Sequence, residues 1–219
     1  GMKKTWTVII VIVLALLASA CNYDDYETGD GRYSYLRTDF CLIHTTGNPV
    51  QADRMTTDDG QNIEFQSPVK VSWAEKSDTI YRALVNYDVS SNNVFSVAQV
   101  VVMGATEAKN YSNIIDDPLD IESAWVGGRF LNIGLAFKVG NTENNDLRQK
   151  IGLILDSLNT DNNGQKHLYI RILHAQNGVP EYYTVRNYIS MPLTSYMQGA
   201  IIHLSANTYS GEKTFSFNN

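Results

Sequence analysis

The chain has 219 residues, with 17 Lys and Arg against 23 Asp and Glu, a formal net charge of −6, two cysteines and thirteen tyrosines. Nucleic-acid affinity comes largely from cations that neutralise phosphates, so an acidic chain without an internal basic run excludes a nucleic-acid partner. The length suits one large or two small domains.

The N-terminus carries the clearest signal. Lys3 and Lys4 precede the apolar run Val8–Ala18, and the small residues Ala18, Ser19 and Ala20 lead directly into Cys21. That order is a secretory signal peptide. The run falls short of the ~20 apolar residues a spanning helix needs, which favours cleavage over an uncut signal anchor. "LASAC" resembles the lipobox of bacterial lipoproteins, although Ala18 stands where a large aliphatic is usual and Leu17 lies one place further out. The resemblance implies that Cys21 is acylated and begins the mature chain. Each buried acyl CH₂ contributes ~0.8 kcal/mol, so several chains hold a protein firmly at a membrane. The expectation is a signal peptide over 1–20, lipid attachment at Cys21, and an exported protein anchored to the outer membrane on its periplasmic or cell-surface face. Residues 21–32, "CNYDDYETGDGR", are polar beyond the cysteine and without apolar periodicity, as in a flexible tether. Their acids also resemble the surface-export signals of Bacteroidetes-type lipoproteins.

With Cys21 acylated, Cys41 has no partner for an intrachain disulfide. It sits in "DFCLIH", a strand-like apolar run, where a buried inert thiol is the simple reading and a Cys41–His44 nucleophile pair the sharp one.

Beyond the tether the chain is full of period-2 segments. "YSYLRTDFCLIHTT", the two halves of "PVQADRMTTDDGQNIEFQS" around Asp59-Gly60, "DTIYRALVNYDV" and "VFSVAQVVVMG" predict about five strands, with a hairpin at the Asp-Gly pair. They fit a small barrel or meander over 33–110. "ATEAKNYSNIIDDPLD" lacks alternation and reads as the connection between domains. Over 111–219, "LNIGLAFKV", "KIGLILD", "HLYIRILHA", "YYTVRNYIS", "AIIHLSA" and "KTFSFN" predict six short strands separated by Asn/Gly-rich turns. Without a crossover helix they imply antiparallel pairing in a β-sandwich.

Taken together, "MTTDDGQNI", "DTIYRALVNYDV", "IESAWVGGRFLNIGLAFKV" and "MPLTSY" in an exported lipoprotein resemble the NigD-like family over about 30–219. The resemblance implies an N-terminal OB-like domain and a C-terminal β-sandwich, in agreement with the periodicity. It also implies an accessory or bacteriocin-immunity role and no assigned catalytic residues.

Candidate chemistry is sparse. "NTDNNG" (Asn159–Gly164) resembles half of a calcium loop, but the twelfth position is Ile170 and strands flank it, which favours a plain β-turn. His167 and His174, seven apart in one strand, fall on opposite faces and cannot share an ion, and no HxH or HExxH spacing occurs. No metal site or cofactor is therefore expected. There is no GxSxG elbow, and Asp58-Asp59 and Asp116-Asp117 read as turn carboxylates. Tyr182, Tyr183 and Tyr188 are candidates for a glycan-stacking face, against the ordinary reading of strand tyrosines with wet hydroxyls. Thr79 and Ser157 stand in Asp-Thr/Ser-apolar triplets that resemble O-glycosylation acceptors of exported Bacteroidetes-type proteins. The composite expectation is a membrane-anchored, all-β, non-catalytic interaction protein with a protein or glycan partner in the envelope, the alternatives being a glycan-binding module and an enzyme whose site the sequence does not reveal.

Overall fold

The computed structural model describes residues 35–141, 143 and 146–219. The signal peptide, Cys21 and the whole tether lie outside the described residues. The remainder is all-β, as the alternation predicts.

Five strands form the first sheet: β1 (Leu36–Thr46), β2 (Gln51–Thr57), β3 (Asn62–Lys70), β4 (Ile80–Asp88) and β5 (Val94–Gln99). Their order is β3-β2-β1-β4-β5. The Asp59-Gly60 hairpin joins β2 to β3, with Gly60 at φ +88°, a region that favours a residue lacking Cβ. Register shifts at His44/Thr45, Ala52/Arg54 and Asn86/Tyr87 mark bulges. Bulges bend a strand and raise its twist, and here they curl the sheet until Gln66 of β3 donates its N–H to the Asn92 carbonyl beside β5, 2.9 Å away. The result is an OB-like half-barrel filled by Ile43, Met55, Phe65, Val85 and Tyr87. Along β4, Ala83, Val85 and Tyr87 point inward, so Arg82 must point out of the barrel. It is nevertheless only 3% exposed, because the second domain covers it.

Among the described residues, that domain has nine strands: β6 (Val101–Val102), β7 (Ala105–Glu107), β8 (Asp120–Gly127), β9 (Phe130–Val139), β10 (Lys150–Thr160), β11 (Lys166–Ala175), β12 (Tyr183–Pro192), β13 (Ile201–Thr208) and β14 (Gly211–Asn218). They build two sheets, β6-β12-β9-β8 and β14-β13-β11-β10-β7. Leu131, Ile133 and Leu135 of β9 pack against Leu168 and Ile170 of β11 and Ile202 of β13. Each such side chain removed from water contributes about 1.5–3 kcal/mol.

Two expectations are corrected. The pairing is not purely antiparallel: β11–β13, β7–β10 and β6–β12 run parallel. The chain leaves β11 for the other sheet as β12 and returns as β13, and two reversals restore the original direction. The sandwich also starts earlier than residue 111, because β6 and β7, two and three residues long, already pair into its sheets. Strands that short show no alternation, and β8 hides behind a bulge at Ile121/Ser123.

Candidate functional site

The junction between barrel and sandwich holds a densely bonded polar cluster. The Arg82 guanidinium grips the Asp58 carboxylate in a fork, Nη1 to Oδ1 and Nη2 to Oδ2 (2.8 Å). Nη2 also donates to Asn132 Oδ1 at 2.8 Å, and Nε to Ser190 Oγ at 3.2 Å. Ser190 Oγ donates to the same Asn132 oxygen at 2.7 Å. The guanidinium lies 4.3 Å from the Phe130 ring centroid, in cation–π range. The barrel supplies Asp58 and Arg82, and the sandwich Asn132, Phe130 and Ser190. Planar, bidentate geometry makes arginine suited to a buried pair of this kind. Beside it, the rings of Phe40, Trp125 and Tyr188 meet edge to face at 5.1–6.2 Å. Gly134 lies under this cluster, since a Cβ there would run into Ser123 Oγ and the Tyr188 ring.

The junction positions the connector between the domains. Val100 donates its N–H to the Arg82 carbonyl (3.1 Å), and Met103 donates its own to the Ser190 carbonyl (3.0 Å). The residues that clasp the domains through their side chains therefore hold both ends of β6 through their backbones. So held, Val101 and Met103 form one wall of a cleft of about 420 Å³, whose floor is Leu135, Phe137, Ile151 and Ile189. β12 pairs with β6 only at Ile189 and Ser190, and β10 with β7 only at Leu153–Leu155. Among the described residues, β12 from Tyr183 to Tyr188 has no second neighbouring strand. Apolar floor and unpaired strand edge lie side by side, the combination that an added strand from another chain uses. Among the described residues, the polar members of the lining are Arg148, Gln149, Asn187 and Tyr188, and these supply no nucleophile–base pair.

A larger depression of about 610 Å³ lies between residues 111–115 and the outer face of β10 and β11. Its histidine, His174, is 1% exposed, with Nδ1 3.1 Å from the Pro118 carbonyl and Nε2 2.6 Å from Gln149 Oε1. The ring ties Pro118, just beyond that segment, to the sheet.

The residues singled out in sequence are scattered. Tyr182 is 78% exposed, against Gly140. Tyr183 faces the opposite side of β12, and Tyr188 joins the junction ring cluster. Tyr182 and Tyr188 are about 20 Å apart at ~3.3 Å per residue, so the three tyrosines form no common platform. Thr79 is half-buried and its Oγ1 donates to the Ser77 carbonyl; Ser157, also half-buried, lies opposite Tyr169. Cys41 points into the barrel, and its Sγ donates to the Ala83 carbonyl (3.6 Å). Burial pushes its thiol up to about 12. His44 lies on the other face of β1, bonded to Asp53 at 2.9 Å, so the two form no nucleophile pair. Asp161, in the calcium-like stretch, spends Oδ1 on the Asn163 and Gln165 N–H groups and closes a β-turn.

The sequence profile of the NigD-like C-terminal β-sandwich domain matches residues 100–219, a span that begins with β6. No curated protein sequence matches the chain. Among solved structures, a NigD-like immunity protein from Bacteroides caccae is similar at 20% identity and a TM-score of 0.62, over 84% of this chain and 91% of that one. A protein described as toxin-related from Parabacteroides distasonis is similar at 18% identity and a TM-score of 0.63, over 84% and 93%. A protein of unknown function from Bacteroides vulgatus is similar at 14% identity and a TM-score of 0.58, over 84% and 91%. These likenesses cover barrel and sandwich alike, and the profile match extends over more than half of the sequence: the chain belongs to the NigD-like family.

Proposed function

We propose that the protein is a lipid-anchored envelope protein that binds a partner protein without turnover, in an immunity-like or accessory role. The observation that carries this reading is the apolar cleft beside the unpaired edge of β12. An extended segment of a partner would find backbone hydrogen bonds along that edge and apolar contacts on Leu135, Phe137 and Ile151. The likeness to a NigD-like immunity protein supports the same direction. The lipobox-like site at Cys21 would hold the binding body at the outer membrane, where an incoming toxin or another envelope component is met. The scattered tyrosines favour a protein partner over a glycan.

The test has two arms. Purified protein is assayed on a panel of ester, peptide and glycoside substrates, with no hydrolysis expected. A strain lacking the gene is then challenged with bacteriocin-producing relatives, and its sensitivity is compared with that of a strain restored with the wild type or Val101→Asp. The wild type restores protection and the cleft variant does not. Turnover on the panel, or equal sensitivity in all three strains, would overturn the reading.

A further inference from the structure

On the outer face of the sandwich, away from the cleft residues, two histidines from neighbouring strands face each other. His167 Nδ1 of β11 lies 2.9 Å from His203 Nε2 of β13. The remaining nitrogen of each ring is also engaged. His167 Nε2 is 2.9 Å from Asp161 Oδ2, and His203 Nδ1 is 2.8 Å from Ser216 Oγ. The Tyr169 ring stacks on His203, with centroids 4.4 Å apart and an interplanar angle of 14°. The two imidazoles lie edge to edge and nearly coplanar, with centroids 5.2 Å apart and an interplanar angle of 16°. Both rings are therefore held in place by groups other than each other.

The proton inventory of this chain decides what the central gap can hold. An ionised carboxylate only accepts, so Asp161 requires the proton of neutral His167 to be on Nε2. That leaves a lone pair on Nδ1, aimed at His203. Serine both donates and accepts, so His203 has two tautomers available. With the proton on Nε2, it donates to His167 and accepts from Ser216. With the proton on Nδ1, it donates to Ser216 and turns a second lone pair toward the first.

We infer that His167 and His203 form a binding site for a borderline divalent transition-metal ion, Zn²⁺ or Cu²⁺, held by Nδ1 of the first and Nε2 of the second. Two Zn–N bonds of about 2.0–2.1 Å at a tetrahedral angle place the nitrogens about 3.3–3.4 Å apart. To admit the ion, the nitrogens must part by about 0.4–0.5 Å from their hydrogen-bonded separation, and the nearly coplanar rings must tilt so that both lone pairs converge on it. Asp161 and Ser216 then occupy the positions of the outer hydrogen-bond partners that fix the orientation and tautomer of ligating histidines. Water fills the other coordination positions. Nothing in the ligand set suits Mg²⁺ or Ca²⁺, which take oxygen ligands. This site departs from the expectation of no metal, which weighed spacings within one strand; His167 and His203 are 36 residues apart and meet only through the parallel β11–β13 register.

The test is isothermal titration of untagged protein with ZnCl₂ and separately with CuCl₂, with MgCl₂ as control. One ion per chain is expected for zinc and for copper, copper binding the tighter, and none for magnesium. His203→Ala and His167→Ala should each weaken zinc binding at least tenfold. Asp161→Asn keeps both ligands and should weaken it by about 10- to 100-fold. His44→Ala should leave it unchanged, and circular dichroism of each variant checks that the sandwich is intact. Absence of zinc binding up to millimolar metal, or unchanged affinity in folded His203→Ala and His167→Ala, would overturn the assignment.

Discussion

Replacing Arg82 by alanine removes the only cation in the junction network formed with Asp58, Asn132 and Ser190. Breaking a buried pair by deleting one partner costs about 3–5 kcal/mol, since the other charge is left uncompensated. Asp58 keeps 21% of its side-chain surface in water, which places the loss near 3 kcal/mol, at the lower end of that range. Arg82→Lys should recover little, because an ammonium cannot supply the fork to Asp58 and the bonds to Asn132 and Ser190 together. Combining Arg82→Ala with Asp58→Ala should cost less than the two separate losses summed, by about 0.5–3 kcal/mol, as expected for groups in one network. Urea unfolding followed by tryptophan fluorescence is the assay, because Trp73 reports the barrel and Trp125 the junction. The wild type should show one transition, and Arg82→Ala should separate the barrel from the sandwich. A loss below about 1 kcal/mol, or full rescue by lysine, would refute the view that this network fastens the domains.

Three further outcomes are expected. Cys21→Ala should move the protein from the membrane fraction to the soluble one; a variant that stays with membranes and keeps residues 1–20 would point to an uncut helical anchor. Cys41 should resist thiol reagents at pH 8 until the chain is unfolded, and prompt labelling of the native protein would contradict its burial. Since folding raises its pKa from 9.0 to about 12, its contribution is fully present below pH 9 and is lost as pH climbs toward 12. Cys41→Ala should flatten that alkaline decline in denaturation curves, and an unchanged decline would rule out the thiol as its source.

Much of the fold was legible because strand alternation is a local property. β9 writes Leu131, Ile133, Leu135 and Phe137 on one face, and the Asp59-Gly60 pair announces its hairpin. What stayed hidden depended on neighbours distant in sequence. Arg82 reads as an ordinary outward residue of β4, Asn132 as the polar side of β9, and Asp58 as a turn carboxylate; only a second domain laid over them makes them a buried network. The cleft was invisible for a related reason, since it arises where β6 and β7 stop after two and three residues. Tyr188 was legible as an aromatic near a loop, but its place beside Phe40 and Trp125 required the domain contact.

The proposed function puts a partner protein in the cleft walled by β6. A photo-crosslinking amino acid placed at Val101, in cells that express the full-length protein, tests it most directly, with the same residue at Asn62 on β3 as control. One discrete crosslinked species of higher mass is expected from position 101, absent from position 62 and competed away by a peptide from the captured partner. Equal crosslinking from both positions, or none from position 101 in cells that resist the toxin, would contradict it.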